Sequence, residues 1–104
     1  QPNAMGGREV GGLVNQLAAH MDFDLADLQR VSRFWDAANM VQRPGLKAVD
    51  MFKAIEQGQV KAVWIMATNP VVSMPDAERI KAALARCELV VVSDCVGNTD
   101  TAQY

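Results

Sequence analysis

Apolar residues run without polar alternation from Ala62 to Ala67 and stop at Thr68, Asn69 and Pro70; a second run, Leu89 to Val92, stops at Ser93 and Asp94. Runs of this length, rich in Val and Ile and bounded by turn residues, predict strands covered on both faces, as in parallel sheets. Between them Ala77, Ile80, Leu84 and Cys87 recur at helical spacing as far as Arg86. Ser73 and Asp76 form a capping-box variant ahead of that helix, and Pro75 suits its first turn. Strand, helix and strand with short links make a βαβ unit with a right-handed crossover. Ligands of open α/β sheets collect beyond the carboxyl ends of the strands, which places Thr68, Asn69 and Pro70 beside Ser93, Asp94 and Cys95 at a binding edge.

Upstream the apolar period changes. Val10, Leu13, Val14, Leu17, Ala18 and Met21 share one helical face, with Asn15 and His20 off it. Gly11 and Gly12 weaken the first turn of that helix by about 1 kcal/mol each relative to Ala, and permit tight packing. A second helix is expected from the N-cap Asp24 through Leu25, Leu28 and Val31 to Phe34 and Trp35. A third runs from Leu46 to Gln57, burying Ala48, Val49, Phe52 and Ile55, with Gly58 as its left-handed stop. Gln1 to Gly7 reads as a loop because Pro2, Gly6 and Gly7 resist regular structure, and Asn39 to Pro44 as another. Gly97 to Thr101 has loop composition, with capping expected at Thr99 or Asp100.

Composition adds bounds. A chain of 104 residues, half of them apolar, suits one small α/β domain over 1–104 that buries roughly 65% of its unfolded surface. Ten basic against twelve acidic residues give 10 − 12 = −2, with no charge run, so neither a nucleic-acid nor a membrane surface is indicated. No stretch approaches the roughly 20 apolar residues of a membrane span. Cys87 and Cys95 fit neither a metal-ligand spacing nor a disulfide framework, which favours a reducing, cytoplasmic setting. A start without methionine, and two strands where a stable sheet has about four to six, point to a piece of a longer protein.

The candidate chemistry lies at the strand ends. Asn69 offers donors and an acceptor, Asp94 two acceptor oxygens, Thr68 and Ser93 hydroxyls, an inventory suited to the base, ribose and phosphate of a nucleotide. Asn69 and Pro70 are also ordinary turn formers. No Gly-x-Gly-x-x-Gly or phosphate-loop lysine follows either run, which argues against an ordinary NAD or ATP site. Asp94, after three valines, is expected at the end of a buried strand, where a carboxylate needs donors such as a guanine edge or a ribose hydroxyl. His20 is read as a structural or surface residue, Cys87 as a small buried hydrophobe, Trp35 and Trp64 as core. No Ser-His-Asp set or carboxylate pair can be assembled, so any chemistry belongs to something bound.

Four blocks carry a resemblance: QPNAMGGREVGG at 1–12, RPGLKAVD at 43–50, WIMATNP at 64–70, and VVSD at 91–94 with TDTA at 99–102. Together they resemble consecutive blocks of the catalytic subunit of bacterial assimilatory nitrate reductases, within the bis-molybdopterin-guanine-dinucleotide oxidoreductases, and cover nearly the whole chain. The resemblance implies part of a three-layer, Rossmann-like parallel-sheet domain, with helices packed on a βαβ unit, that holds a pterin dinucleotide. It implies cofactor contacts at Asn3, Met5 and Gly6 of the opening loop, at Thr68, Asn69 and Pro70, at Ser93 and Asp94, and near Thr99 and Thr101. Relatives vary over Val96, Gly97 and Asn98, so nothing is carried over there. The molybdenum-ligating and iron–sulfur cysteines of such subunits lie outside this chain, and neither Cys87 nor Cys95 matches them. The implied partners are the cofactor, the remaining domains of the subunit and an electron-donor protein or subunit, and the implied activity is reduction of nitrate to nitrite by the intact parent, the fragment alone being inactive. Two alternatives stand beside this: a fragment of a formate dehydrogenase or another oxyanion reductase, and a free-standing α/β binding or interaction module.

Overall fold

The computed structural model describes residues 3–104; Gln1 and Pro2, which belong to the expected opening loop, lie outside the described residues. The chain divides into two compact units, one ending at Leu46 and the other spanning Lys47–Tyr104.

The second unit is built on two strands, β1 (Ala62–Met66) and β2 (Leu89–Ser93). They pair in parallel, with Ala62 opposite Leu89 and Met66 opposite Ser93. Both expected strands and their parallel pairing are therefore present, as a two-stranded sheet. Side chains of a strand alternate between faces. Val63 and Ile65 are buried against Phe52 and Ile55 of α3 (Ala48–Glu56) and Ile80, Ala83 and Leu84 of α5 (Ala77–Arg86), with Val90 and Val92 of β2 packed alongside. The opposite face is open: Trp64 is 64% exposed, and Met66, Leu89 and Val91 are exposed with it. This corrects the expectation of a sheet covered on both faces and of Trp64 as core. The helices of this unit pack on the other face, and Trp64 takes the outward parity of the strand.

Helix ends follow their local chemistry. α3 ends at Glu56 with Gln57 as its C-cap, and Gly58 adopts φ +72°, its N–H donating to the Ile55 carbonyl while Gln59 N–H donates to that of Ala54. Ala48 and Val49 are nevertheless exposed and Ala54 is buried with Phe52 and Ile55, so the buried stripe of α3 differs from the expected one. α5 starts one turn later than the Ser73 box implied. Asp76, at φ +60°, is the N-cap and accepts from Arg79 N–H at 3.3 Å, whereas Ser73 closes a single unexpected turn, α4 (Pro70–Ser73). The cause is Pro70, whose fixed φ suits a first helical position and starts a turn directly after the strand. Cys87 is half-buried against the core, its thiol 3.2 Å from the Lys61 carbonyl.

In the first unit, α2 (Leu25–Trp35) begins at Asp24, whose side chain accepts from Asp27 N–H at 2.9 Å, as expected. Of its apolar stripe Val31 is buried and Leu28 half-buried; Leu25, Trp35 and, at 85%, Phe34 are exposed, against the core reading of Trp35. The helix expected over Val10–Met21 is absent. Helix α1 lies upstream at Ala4–Glu9, in the stretch read as a loop, and a 3₁₀ turn covers Ala18–His20. Gly11, at φ +77°, lies where a Cβ would meet Ala18 N at 2.8 Å, and a Cβ on Gly12 would meet the Gly7 carbonyl oxygen at 2.7 Å. The two glycines turn the chain back on itself rather than extending a helix.

Candidate functional site

The parallel register brings the two strand ends together. Ala67 N–H donates to the Ser93 carbonyl at 2.9 Å, so the ladder continues one step past β1 and sets Thr68, Asn69 and Pro70 next to the end of β2. Ala67 itself has φ +52°, a conformation uncommon for a residue with a Cβ, and there the chain leaves the sheet to enter α4. Thr68 is exposed, Asn69 half-buried and Pro70 buried.

Asn69 is tied to the far end of the chain. Its Oδ1 accepts from Thr101 Oγ1 at 2.6 Å, and its Nδ2 donates to Asp100 Oδ2 at 3.3 Å. Thr101 is 0% exposed and also accepts from Val71 N–H at 3.2 Å. Thr99 Oγ1 accepts from Ala102 N–H at 3.2 Å, a hydroxyl turn in place of a helix cap. Asp100 is the site residue that sequence reading passed over except as a cap; its only signal was a carboxylate adjoining a threonine in a loop.

Ser93 receives the Trp64 indole N–H on its hydroxyl oxygen at 2.9 Å. Asp94 is exposed, its Oδ1 accepting from Val96 N–H at 3.4 Å. The argument that Asp94 is a costly buried carboxylate is thus overturned: β2 alternates half-buried and exposed positions and its end reaches solvent. Asp94 does not cap the segment near Thr99 either. Its second oxygen has no hydrogen-bond partner among the described residues.

A groove of about 350 Å³ borders this edge, lined by Met51, Trp64, Met66, Thr68, Ser73 and Met74 among others. Residues of β1 from both faces line it and none of β2, which places it along the unpaired edge of β1. Among the basic side chains of this unit, Arg79, Lys81 and Lys61 are ion-paired. Arg79 donates to Glu56 from Nε at 2.8 Å and Nη2 at 2.6 Å, and first that hydrogen bond, then the attraction of the same carboxylate, holds its pKa above the ordinary value. Lys81 pairs with Glu78 and Lys61 with Glu88. The side chains bonded to one another at the strand-end edge are carboxylate, amide and hydroxyl groups, the chemistry of base and sugar recognition.

Asn3, Met5 and Gly6 belong to the first unit. Asn3 is the N-cap of α1, accepting from Gly6 N–H at 3.1 Å, and a Cβ on Gly6 would collide with the Asn3 side chain. Met5 is 62% exposed. No group of three or more potential metal ligands occurs among the described residues, and no helix among them is long and apolar enough to cross a membrane.

The sequence model of molybdopterin oxidoreductases matches residues 3–104. A nitrate reductase of Klebsiella oxytoca is 60% identical over 104 residues, covering 100% of this chain and 12% of its own length. One from Shewanella frigidimarina is 53% identical over 99% of this chain and 11% of its own length. The assimilatory nitrate reductase catalytic subunit of Bacillus subtilis is 30% identical over 100% of this chain and 15% of its own. The chain thus spans between a ninth and a sixth of the length of these relatives.

Proposed function

The chain belongs to the molybdopterin oxidoreductase family, and on that premise we propose that it is an internal part of a larger molybdenum-dependent nitrate reductase that grips the nucleotide end of a molybdopterin guanine dinucleotide. The observation carrying this reading is the junction of two parallel strand ends where Asn69 is locked by Thr101 and Asp100, with Asp94 and Thr68 exposed beside it. The donor set fits the group: a carboxylate such as Asp94 pairs with the N–H edge of guanine or with ribose hydroxyls, and an amide such as Asn69 with a base or sugar oxygen. The diphosphate is left to residues elsewhere, since no Lys or Arg bonds to these side chains among the described residues.

When bound, the cofactor supplies the molybdenum that takes an oxygen atom from nitrate. The part of this chain is to hold and orient: Asn69 and Asp94 on the nucleoside, Thr68, Pro70, Ser93 and Thr99 shaping the edge, Thr101 acting from beneath, and Asn3, Met5 and Gly6 at the opening helix. The sheet is part of a three-layer domain in which further strands continue from the unpaired edge of β1 and a second helical layer covers Trp64, Met66, Leu89 and Val91. Iron–sulfur cysteines and the electron-donor contact lie in the rest of the parent, which is cytoplasmic.

The test is molybdenum per folded protein in the full-length parent. Asp94→Ala and Asn69→Ala each lower occupancy by an amount on the order of 1–3 kcal/mol, as for a lost hydrogen-bond partner in a buried site. Wild-type occupancy in both variants removes these residues from the site. The 104-residue chain alone is expected to carry no molybdenum and to reduce no nitrate; stoichiometric metal in it would show that the ligands lie here after all.

A further inference from the structure

We propose that Asp100 and Thr101 are positioning residues that hold the Asn69 amide with Nδ2 toward Asp100 and Oδ1 toward Thr101, so that Asn69 offers the bound nucleotide its second N–H as a hydrogen-bond donor; this rests on the strand-end edge being a nucleotide site. A threonine hydroxyl has one hydrogen and two lone pairs. Val71 N–H takes one lone pair of Thr101 Oγ1 at 3.2 Å, and the hydroxyl donates along the 2.6 Å contact to Asn69 Oδ1. The other end of the amide agrees. The Asp100 carboxylate accepts only, and it lies 3.3 Å from Asn69 Nδ2. Rotating the amide by half a turn would set Oδ1 against that carboxylate, so Asp100 selects the orientation and the Thr101 hydroxyl, able to donate or accept, follows it.

The side chain of Asn69 is also unusual in what it does not do. Asn69 is the N-cap of α4, where an asparagine ordinarily accepts from the N–H two or three residues on, yet it makes no such bond. Thr101, 30 residues later, accepts from Val71 N–H instead. Pro70 has no N–H, and Val72 and Ser73 N–H are satisfied by the Asn69 carbonyl at 3.0 and 2.9 Å. The turn is thus fully capped without the Asn69 amide. Its oxygen accepts from Thr101 and one N–H donates to Asp100; the second N–H has no partner among the described residues. Only an acceptor on the ligand can complete it, such as a base carbonyl, a ring nitrogen or a ribose oxygen. Thr101, at 0% exposure, touches no ligand itself.

The test measures guanosine monophosphate released by acid from the purified full-length parent, per folded protein. The double variant Asn69→Asp with Asp100→Asn keeps net charge and the hydrogen bond between the two side chains, but removes the outward donor. It is expected to fold and to lose nucleotide about tenfold, as for one lost hydrogen bond. Thr101→Val is expected to lose a similar amount and Thr101→Ser, which restores the hydroxyl, to stay within about twofold of wild type. Wild-type nucleotide content in the double variant overturns the polarity assignment, and in a folded Thr101→Val protein it overturns the positioning role of Thr101. If Thr101→Val does not fold, the double variant and Thr101→Ser decide. Asn69→Ala separates the two levels: loss there with retention in the double variant refutes the polarity alone, whereas wild-type content in both Asn69→Ala and Asp94→Ala refutes the nucleotide site and the polarity with it.

Discussion

Residues 47–104 enclose Phe52, Ile55, Val63, Ile65, Val71, Ile80, Ala83 and Leu84 in one continuous apolar cluster, whereas Leu17 and Val31 are the buried apolar side chains among residues 3–46. The first unit relies instead on backbone geometry and polar ties. Gly11 and Gly12 are packed against backbone atoms, Gln16 Nε2 donates to the Arg8 carbonyl at 2.8 Å, and His20 meets Glu9 at 2.9 Å across two consecutive residues of positive φ, Ala19 and His20. Apolar burial contributes in proportion to area and tolerates small shifts; a close backbone approach contributes little energy and tolerates none. The second unit should therefore fail by loss of volume or by buried charge, the first by added atoms.

That contrast breaks most visibly at neighbouring positions of β1. Ile65→Asp puts an unpaired carboxylate in the core and should unfold the second unit, while Met66→Asp, on the open face, should shift stability by less than about 0.5 kcal/mol in chemical denaturation. Comparable losses from both would show that the open face is covered in solution. Ile55→Ala should cost about 2–5 kcal/mol, and Leu17→Ala less, because fewer apolar neighbours surround it. Equal losses would erase the distinction between the units. Gly12→Ala should destabilise the first unit by about 1–3 kcal/mol through its collision with the Gly7 carbonyl, whereas Gly97→Ala, with open space around it, should be neutral by thermal melting.

Asp76→Ala should remove about 1 kcal/mol by uncapping α5, and Asp76→Asn should recover most of it, since asparagine both caps and tolerates positive φ. The smallest effect is a pH dependence. Its hydrogen bond to Glu78, then the charge of that carboxylate, raise the Lys81 pKa. A raised cationic group stabilises the fold below its unfolded value of about 10.4 and loses that contribution as pH rises through the folded value. Alkaline titration of wild type should show a slight extra loss of stability there that Glu78→Gln lacks.

Where legibility failed, a physical reason can be named. The Val10–Met21 stripe had helical spacing, but Gly11 and Gly12 remove side chains at its start, and the chain gains more from turning back than from extending. Pro2, Gly6 and Gly7 point to a loop at the start of the chain, but Asn3 supplies a cap that makes α1 possible. Residue type and position place Asn69 and Asp94 at the strand ends. They do not reveal the partnership of Asn69 with Asp100 and Thr101, because it joins positions 31 and 32 residues apart. No local pattern encodes such a pair.

Local chemistry was sufficient for what depends on neighbours in the chain. Two apolar runs stopped by Asn69-Pro70 and Ser93-Asp94 became parallel strands, Asp24 capped α2, and Gly58 closed α3, because period, capping and positive φ act over a few residues. Tertiary structure alone decided which parity of β1 faces the helices, leaving Trp64 outward and Ile65 within, since an all-apolar strand carries no alternation to choose by. It alone decided that Thr101 is sealed beneath Asn69 while Asp94 reaches solvent. Burial is a property of what the whole chain brings into contact, and residue type constrains it only on average.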